Sequence, residues 1–146
     1  MVGGDGNGTL NVTGGSVTDV DGYLAGEGQY GRAGVGTATV SSGTWANSGD
    51  IYVGLYGTGT LNVTGGAVTD VNGYVGAYGA AGTATVSSGT WANSGNLVVG
   101  SPSALGTLTM SGGLVTVSGT FFRAEGSTVN LNAGGTLQIG TGGTTG

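Results

Sequence analysis

GNGTLNVTGGSVTDVDGY (Gly6 to Tyr23) returns as GTGTLNVTGGAVTDVNGY (Gly57 to Tyr74), and GTATVSSGTWANSG (Gly36 to Gly49) returns unchanged as Gly82 to Gly95. The two phrases also resemble each other, so the true unit is shorter than either copy. A repeat of this size reads as a stack of equivalent coils, each burying its apolar face against its neighbours.

The coil can be read from the short runs that begin at Thr9, Thr37, Thr60, Thr83, Thr107 and Thr128, spaced by 28, 23, 23, 24 and 21 residues. Each run alternates apolar and polar residues with period two, the signature of a strand with one face buried. A second run follows in each of the first five coils (SVTD, TWAN, AVTD, TWAN, LVTV), and a third closes them (YLAG, DIYVG, YVGA, NLVVG, TFFRA). Gly pairs and Asn/Ser/Gly clusters mark the corners. Helical periodicity is absent, and Gly at 37 of 146 residues opposes helices. The expectation is an all-β protein, a parallel β-solenoid of about six coils of three short strands, filling residues 1–146 as a single repeat domain. The segment Glu27 to Gly34 is a corner insertion. Leu137 and Ile139 are not assigned to a face.

Side-chain volume fixes the register. Inward positions of the first run are Leu10, Ala38, Leu61, Ala84, Leu108 and Val129; those of the second are Val17, Trp45, Val68, Trp91 and Val115. Ala in the first column always accompanies Trp in the second, and Leu accompanies Val. A core at crystal-like density requires such compensation within a layer, so Trp45 and Trp91 are expected to point inward.

Composition removes several function classes. Two arginines against seven acids, with no Lys, leave no basic patch for nucleic acid or for an anionic membrane. The absence of Cys and His removes disulfides, thiolate chemistry and His-based catalysis. No apolar run approaches the ~18 residues of a membrane span, and no signal peptide is read before Val2.

The phrases GTLNVTGGxVTD and GTATVSSGTWANSGxLxVG resemble repeats in the passenger regions of bacterial autotransporters (type V secretion) and in PEP-CTERM-associated repeat proteins; GSTVNLNAGGTLQIG is similar to strand repeats of the same passengers. The resemblance runs from Gly6 to Gly140. It implies a right-handed β-helix, secreted to the bacterial cell surface as a stalk, adhesin or filament subunit. No export signal, translocator barrel or sorting tail is read in the chain, so the extracellular location is an implication of the resemblance alone. Val2 to Gly8 matches Val53 to Gly59, and GTGGTTG closes the chain like a corner. The expected partners are therefore flanking coils or copies of the same chain, joined end to end. The expectation is a segment of a longer solenoid or a filament subunit.

Three constellations carry the remaining functional readings. Thr9, Thr37, Thr60, Thr83 and Thr107 form one outward column, and Asn11, Thr39, Asn62, Thr85 and Thr109 the next. A third is expected through Thr13, Ser41, Thr64, Ser87, Ser111 and Asn132. This grid reads either as an ice-binding face or as a solvated β surface whose side chains bond along the stack. Asp19, Asn47, Asp70 and Asn93 form a column in which each Asn separates like charges and is expected to donate to the carboxylates. Asp19, Asp21 and Asp70 are the calcium candidates, although calcium wants six or more oxygens and no calcium repeat is present; no cofactor is the primary expectation. Tyr30, Tyr52, Tyr56 and Tyr78 lie at or beside corners, where they either stack on a glycan or shield the short strand. Catalysis would need paired carboxylates in a cleft or an acid beside a cation; Arg32 and Arg123 lie about four coils apart, so no enzyme is expected.

Overall fold

The computed structural model describes residues 1–27, 31–140 and the backbone of 144–145. Tyr30 lies outside the described residues. Among them there is no helix. The strands are β1 (Asn7–Asp19), β2 (Gly22–Leu24), β3 (Val35–Asn47), β4 (Ile51–Val53), β5 (Thr58–Asp70), β6 (Gly73–Val75), β7 (Gly82–Asn93), β8 (Leu97–Val99), β9 (Gly106–Met110), β10 (Leu114–Val117), β11 (Phe121–Arg123), β12 (Thr128–Leu131), β13 (Thr136–Ile139) and β14 (Thr144–Thr145).

These strands make a parallel β-solenoid. One sheet stacks β1-β3-β5-β7-β10-β13, with β9 and β12 continuing the first half of β7; the other stacks β2-β4-β6-β8-β11-β14. Each face therefore carries six rungs, about five complete turns from first to last. In the first four coils the first and second runs are one continuous bent strand, because the Gly-rich corner between them turns without breaking the chain. Gly43 sits at such a corner with φ of 78°, and a Cβ there would lie 2.4 Å from the Gly15 carbonyl oxygen of the rung before. Only Gly fits that conformation and that spacing together.

The register follows side-chain volume. Leu10 pairs Ala38, Ala38 pairs Leu61, and Leu61 pairs Ala84. Val17 pairs Trp45, Trp45 pairs Val68, and Val68 pairs Trp91. Both indoles are inside, Trp45 at 1% exposure and Trp91 at 0%. The third face shares in the compensation. A Cβ on Gly22 would lie 2.8 Å from Trp45, and one on Gly73 would lie 2.8 Å from Trp91. Each indole thus reaches across the core into space left by a glycine one coil earlier. Leu137 pairs Val115 and Ile139 pairs Val117, so both continue inward columns. The core narrows toward the last rung, where Leu131, partner of Met110, is 55% exposed.

The third outward column departs from its expected register. Thr13 pairs Ser42, not Ser41, and Thr64 pairs Ser88, not Ser87. Rungs do not run strictly parallel where the strand turns its corner, so pairing slips by one residue there. Ser42 Oγ secures the first slip by donating to the Thr13 carbonyl at 2.9 Å.

Candidate functional site

The second corner holds buried Asn47, Asp70 and Asn93 and half-buried Asp19. Asp19 pairs Asn47 and Asp70 pairs Asn93, and Asn93 pairs Val117. The expected amide-to-carboxylate bonds are not formed. Asn47 Nδ2 donates to the Thr69 carbonyl at 3.2 Å, and Asn93 Nδ2 to the Thr116 carbonyl at 3.1 Å. The carboxylates instead accept from the indoles of the next coil: Trp45 Nε1 to Asp19 Oδ2 at 3.3 Å, and Trp91 Nε1 to Asp70 Oδ2 at 2.6 Å. A buried indole N–H needs an acceptor, and a coil preceding a Trp coil supplies one. The pattern accounts for where the acids stop. No Trp follows the fifth coil, and its equivalent of Asp70 is Val117.

Asp70 is 4% exposed, and burial pushes its carboxyl up to about 7; the Trp91 bond pulls the other way, and Asp50 adds to the rise. Its Oδ1 has no partner, nor has Oδ1 of Asp19, Asn47 or Asn93. The two Asn oxygens face the Cα of Gly22 and Gly73, where an added Cβ would come within 2.5 Å or less. Of the calcium candidates, Asp19 and Asp70 thus serve as indole acceptors. Asp21 Oδ1 accepts from Asp50 N–H at 2.9 Å, and its Oδ2 accepts from the Tyr23 hydroxyl at 3.3 Å. Among the described residues, no three His, Cys, Asp or Glu side chains gather as a metal site.

That Asp21 bond starts a ladder absent from the sequence-based expectations. Asp50 Oδ1 accepts from Asn72 N–H at 3.1 Å, Asn72 Oδ1 from Asn96 N–H at 2.9 Å, and Asn96 Oδ1 from Thr120 N–H at 2.8 Å. Each side chain satisfies the backbone donor one coil on. Two residues further along each rung stand Tyr23, Tyr52 and Tyr74, in register. Their rings stack at 5.2 Å and 4.8 Å, within 8° of parallel. The signal was present as DGY, DIY and NGY at equal offsets in three coils (Asp21, Asp50, Asn72). The Tyr52 hydroxyl donates to Asp50 Oδ2 at 3.4 Å, and burial, with Asp50 behind it, pushes that phenol up to about 12. Burial raises Tyr23 and Tyr74 as well, and the neighbouring carboxylates add to both.

Tyr52 has both ring faces covered by its neighbours, so its edge and hydroxyl are what remain for a ligand. Tyr56 and Tyr78 form a second pair at 5.7 Å, tilted by 31°, with 43% and 68% exposure. Tyr78 holds a positive φ of 48° at the tip of a tight turn closed by Ala77 and Ala80.

The Thr/Asn face is assembled as expected. Thr9, Thr37, Thr60, Thr83, Thr107 and Thr128 stand in one register, with Asn11, Thr39, Asn62, Thr85, Thr109 and Asn130 beside them. Among the described residues, one side-chain bond runs within this grid, Asn130 Nδ2 to Thr109 Oγ1 at 3.3 Å. The other hydroxyls and amides are left to water. Arg123 folds back on its own corner, donating to the Ser127 carbonyl at 2.7 Å and the Ala124 carbonyl at 3.3 Å. Arg32 N–H lies 3.4 Å from Asp5 Oδ1.

Comparison with protein-family models, curated proteins and solved structures found no match.

Proposed function

We propose that this chain is a structural element: a stiff, charge-poor rod that acts as a stalk, adhesin or filament subunit outside the cell and joins flanking coils or its own copies end to end. The observation that carries this reading is the direction of its bonding. Main-chain ladders on both sheets, the Asp21–Asn96 side-chain ladder and the tyrosine stack all run along the rod axis. Such a body resists bending along its length and presents a regular Thr/Asn face. Its polar groups serve the scaffold: Asp19 and Asp70 hold indoles, and Arg123 closes a corner. The last rung keeps Leu131 of the core column exposed, and one further parallel rung would cover it.

Electron microscopy with fibre diffraction over a concentration series tests the assembly. Filaments with an axial repeat of about 4.8 Å are expected, and rods that stay about 30 Å long, six rungs at that spacing, would overturn end-to-end joining. Antibody labelling of intact source cells tests the location; labelling that requires permeabilised cells would overturn it.

A second reading, an ice-binding module, is favoured by one observation: two in-register columns of Thr and Asn whose polar atoms are almost all left to water. Faceted ice crystals grown in dilute protein would support it, and unshaped discs would dismiss it.

A further inference from the structure

The third face of the first three coils is unlike the rest of the rod. Read across a rung it has three strips. Asp21 and Asp50, followed by Asn72, form one edge; the Tyr23–Tyr52–Tyr74 stack forms the centre; Tyr56 and Tyr78 form the other edge. A groove of about 450 Å³ opens at its first-coil end, lined by Met1, Asp21, Tyr23, Glu27, Leu55 and Tyr56 among others. Leu55 is buried and gives the groove an apolar floor.

Two features mark the strip as more than packing. Tyr78 is the most exposed tyrosine described, yet its backbone is held in the left-handed region that favours glycine. Strain of this kind persists where the surrounding structure imposes it, and it clusters at binding sites. The strip is also negative. Asp21 and Asp50 stand in successive rungs, and the carboxylates contribute to holding all three stacked phenols up, after burial. Neither arginine lines the groove: Arg123 closes a corner of the fifth coil, and the Arg32 backbone N–H bonds Asp5.

We propose that this strip docks an extended, arginine-rich polypeptide segment along the rod axis. A guanidinium matches both edges: it donates to the lone pairs that the Tyr23 and Tyr52 hydroxyls leave on Asp21 Oδ2 and Asp50 Oδ2 and stacks on the Tyr56 and Tyr78 rings, while its aliphatic stem covers apolar floor. Two carboxylates one rung apart, continued by the Tyr56–Tyr78 pair, suit a chain that presents more than one such group, in preference to a single small cation. The strip exists on one copy of the rod, so the inference does not depend on end-to-end assembly.

The probe is a fluorescent peptide of alternating Arg and Ser, titrated into the full chain by anisotropy at low and high salt. Saturable binding that weakens as salt rises is expected. Asp21→Asn with Asp50→Asn is the decisive variant. Asn72 and Asn96 already fill the same ladder position in later coils, so a side-chain oxygen still accepts from each backbone N–H while the charges go. Affinity is expected to fall at least tenfold with an unchanged circular dichroism spectrum. Tyr56→Ala with Tyr78→Ala is expected to weaken binding independently. Equal affinity in the Asp variant, or no binding at low salt, overturns the proposal. So does tighter binding of spermine, which would make the site one for small polyamines, or salt-independent binding of a neutral oligosaccharide. Should the Asp variant fail to fold, amide shift mapping on the unaltered chain decides. Perturbations confined to Asp21–Glu27, Asp50–Tyr56 and Asn72–Tyr78 support the strip, and perturbations on the Thr face contradict it.

Discussion

Trp91 and Asp70 make one device at the scale of single residues. The indole fills the space left by Ala84 and Gly73, and its N–H is satisfied by a carboxylate held in the coil before. Trp91→Ala removes both, and the resulting cavity is expected to cost about 3–5 kcal/mol, measured by urea denaturation. The pairing also makes stability depend on pH. Asp70 ordinarily titrates at 3.8 and in the folded chain at about 7. Between those values the folded state holds more protons than the unfolded one. Asp70's contribution is therefore fully present below the lower value and is lost as pH rises through the upper one. The denaturation midpoint is expected to fall between pH 4 and pH 8, and Asp70→Asn is expected to flatten that slope. A midpoint that rises over the same window through Asp70 would contradict the burial described. The inward Trp positions were legible from volume alone, Ala38 and Ala84 against Trp45 and Trp91. The Asp–Trp bond was not, because alternating Asp and Asn suggested amide-to-carboxylate pairing. The clue lay in Val117, which replaces the acid where no Trp follows.

At the scale of the strand and its corner, glycine matters by what it leaves empty. A Cβ on Gly73 would meet Trp91 at 2.8 Å and Asn93 Oδ1 at 2.4 Å, whereas one on Gly6 would meet nothing within 4 Å. Gly73→Ala is expected to destabilise the chain by about 1–3 kcal/mol, the usual range for overpacking a filled core, and Gly6→Ala to change little. Combining Gly73→Ala with Trp91→Val should cost less than the sum of the two single changes, since both act on one shared space. Additive costs would mean that the indole does not reach across the core. Period-two alternation by itself places Thr37, Thr60 and Thr83 on one face. It failed at the corner, where Ser42 and not Ser41 meets Thr13, because the chain there no longer follows a strand's period. It also passed over the tyrosine stack: DGY and NGY were divided between a corner and a strand, which hid Tyr23 and Tyr74 beside Tyr52.

For the whole molecule, the sequence repeat carries the architecture and leaves the partner open. Equivalent coils need one rule for their interior and tolerate many exteriors, so Leu10 to Val129 spell out the stack while Thr9 to Thr109 admit water, ice or nothing. Cooperative strength should be greatest in the middle coils, where Val40, Val63 and Val86 are sealed, and least at the last rung, where Leu131 is open. Hydrogen exchange is expected to protect the amides of β5 and β7 longest and those of β12 and β13 least.

The in-register stack itself can be measured between its ends. The chain has no cysteine, so spin labels placed by Thr9→Cys and Thr128→Cys report one unique pair. Five rung steps separate these positions, which predicts a single narrow distribution near 24 Å at ~4.8 Å per step, broadened only by the label arms. A broad distribution, or one centred well beyond 40 Å, would contradict a single column of threonines running the length of the rod.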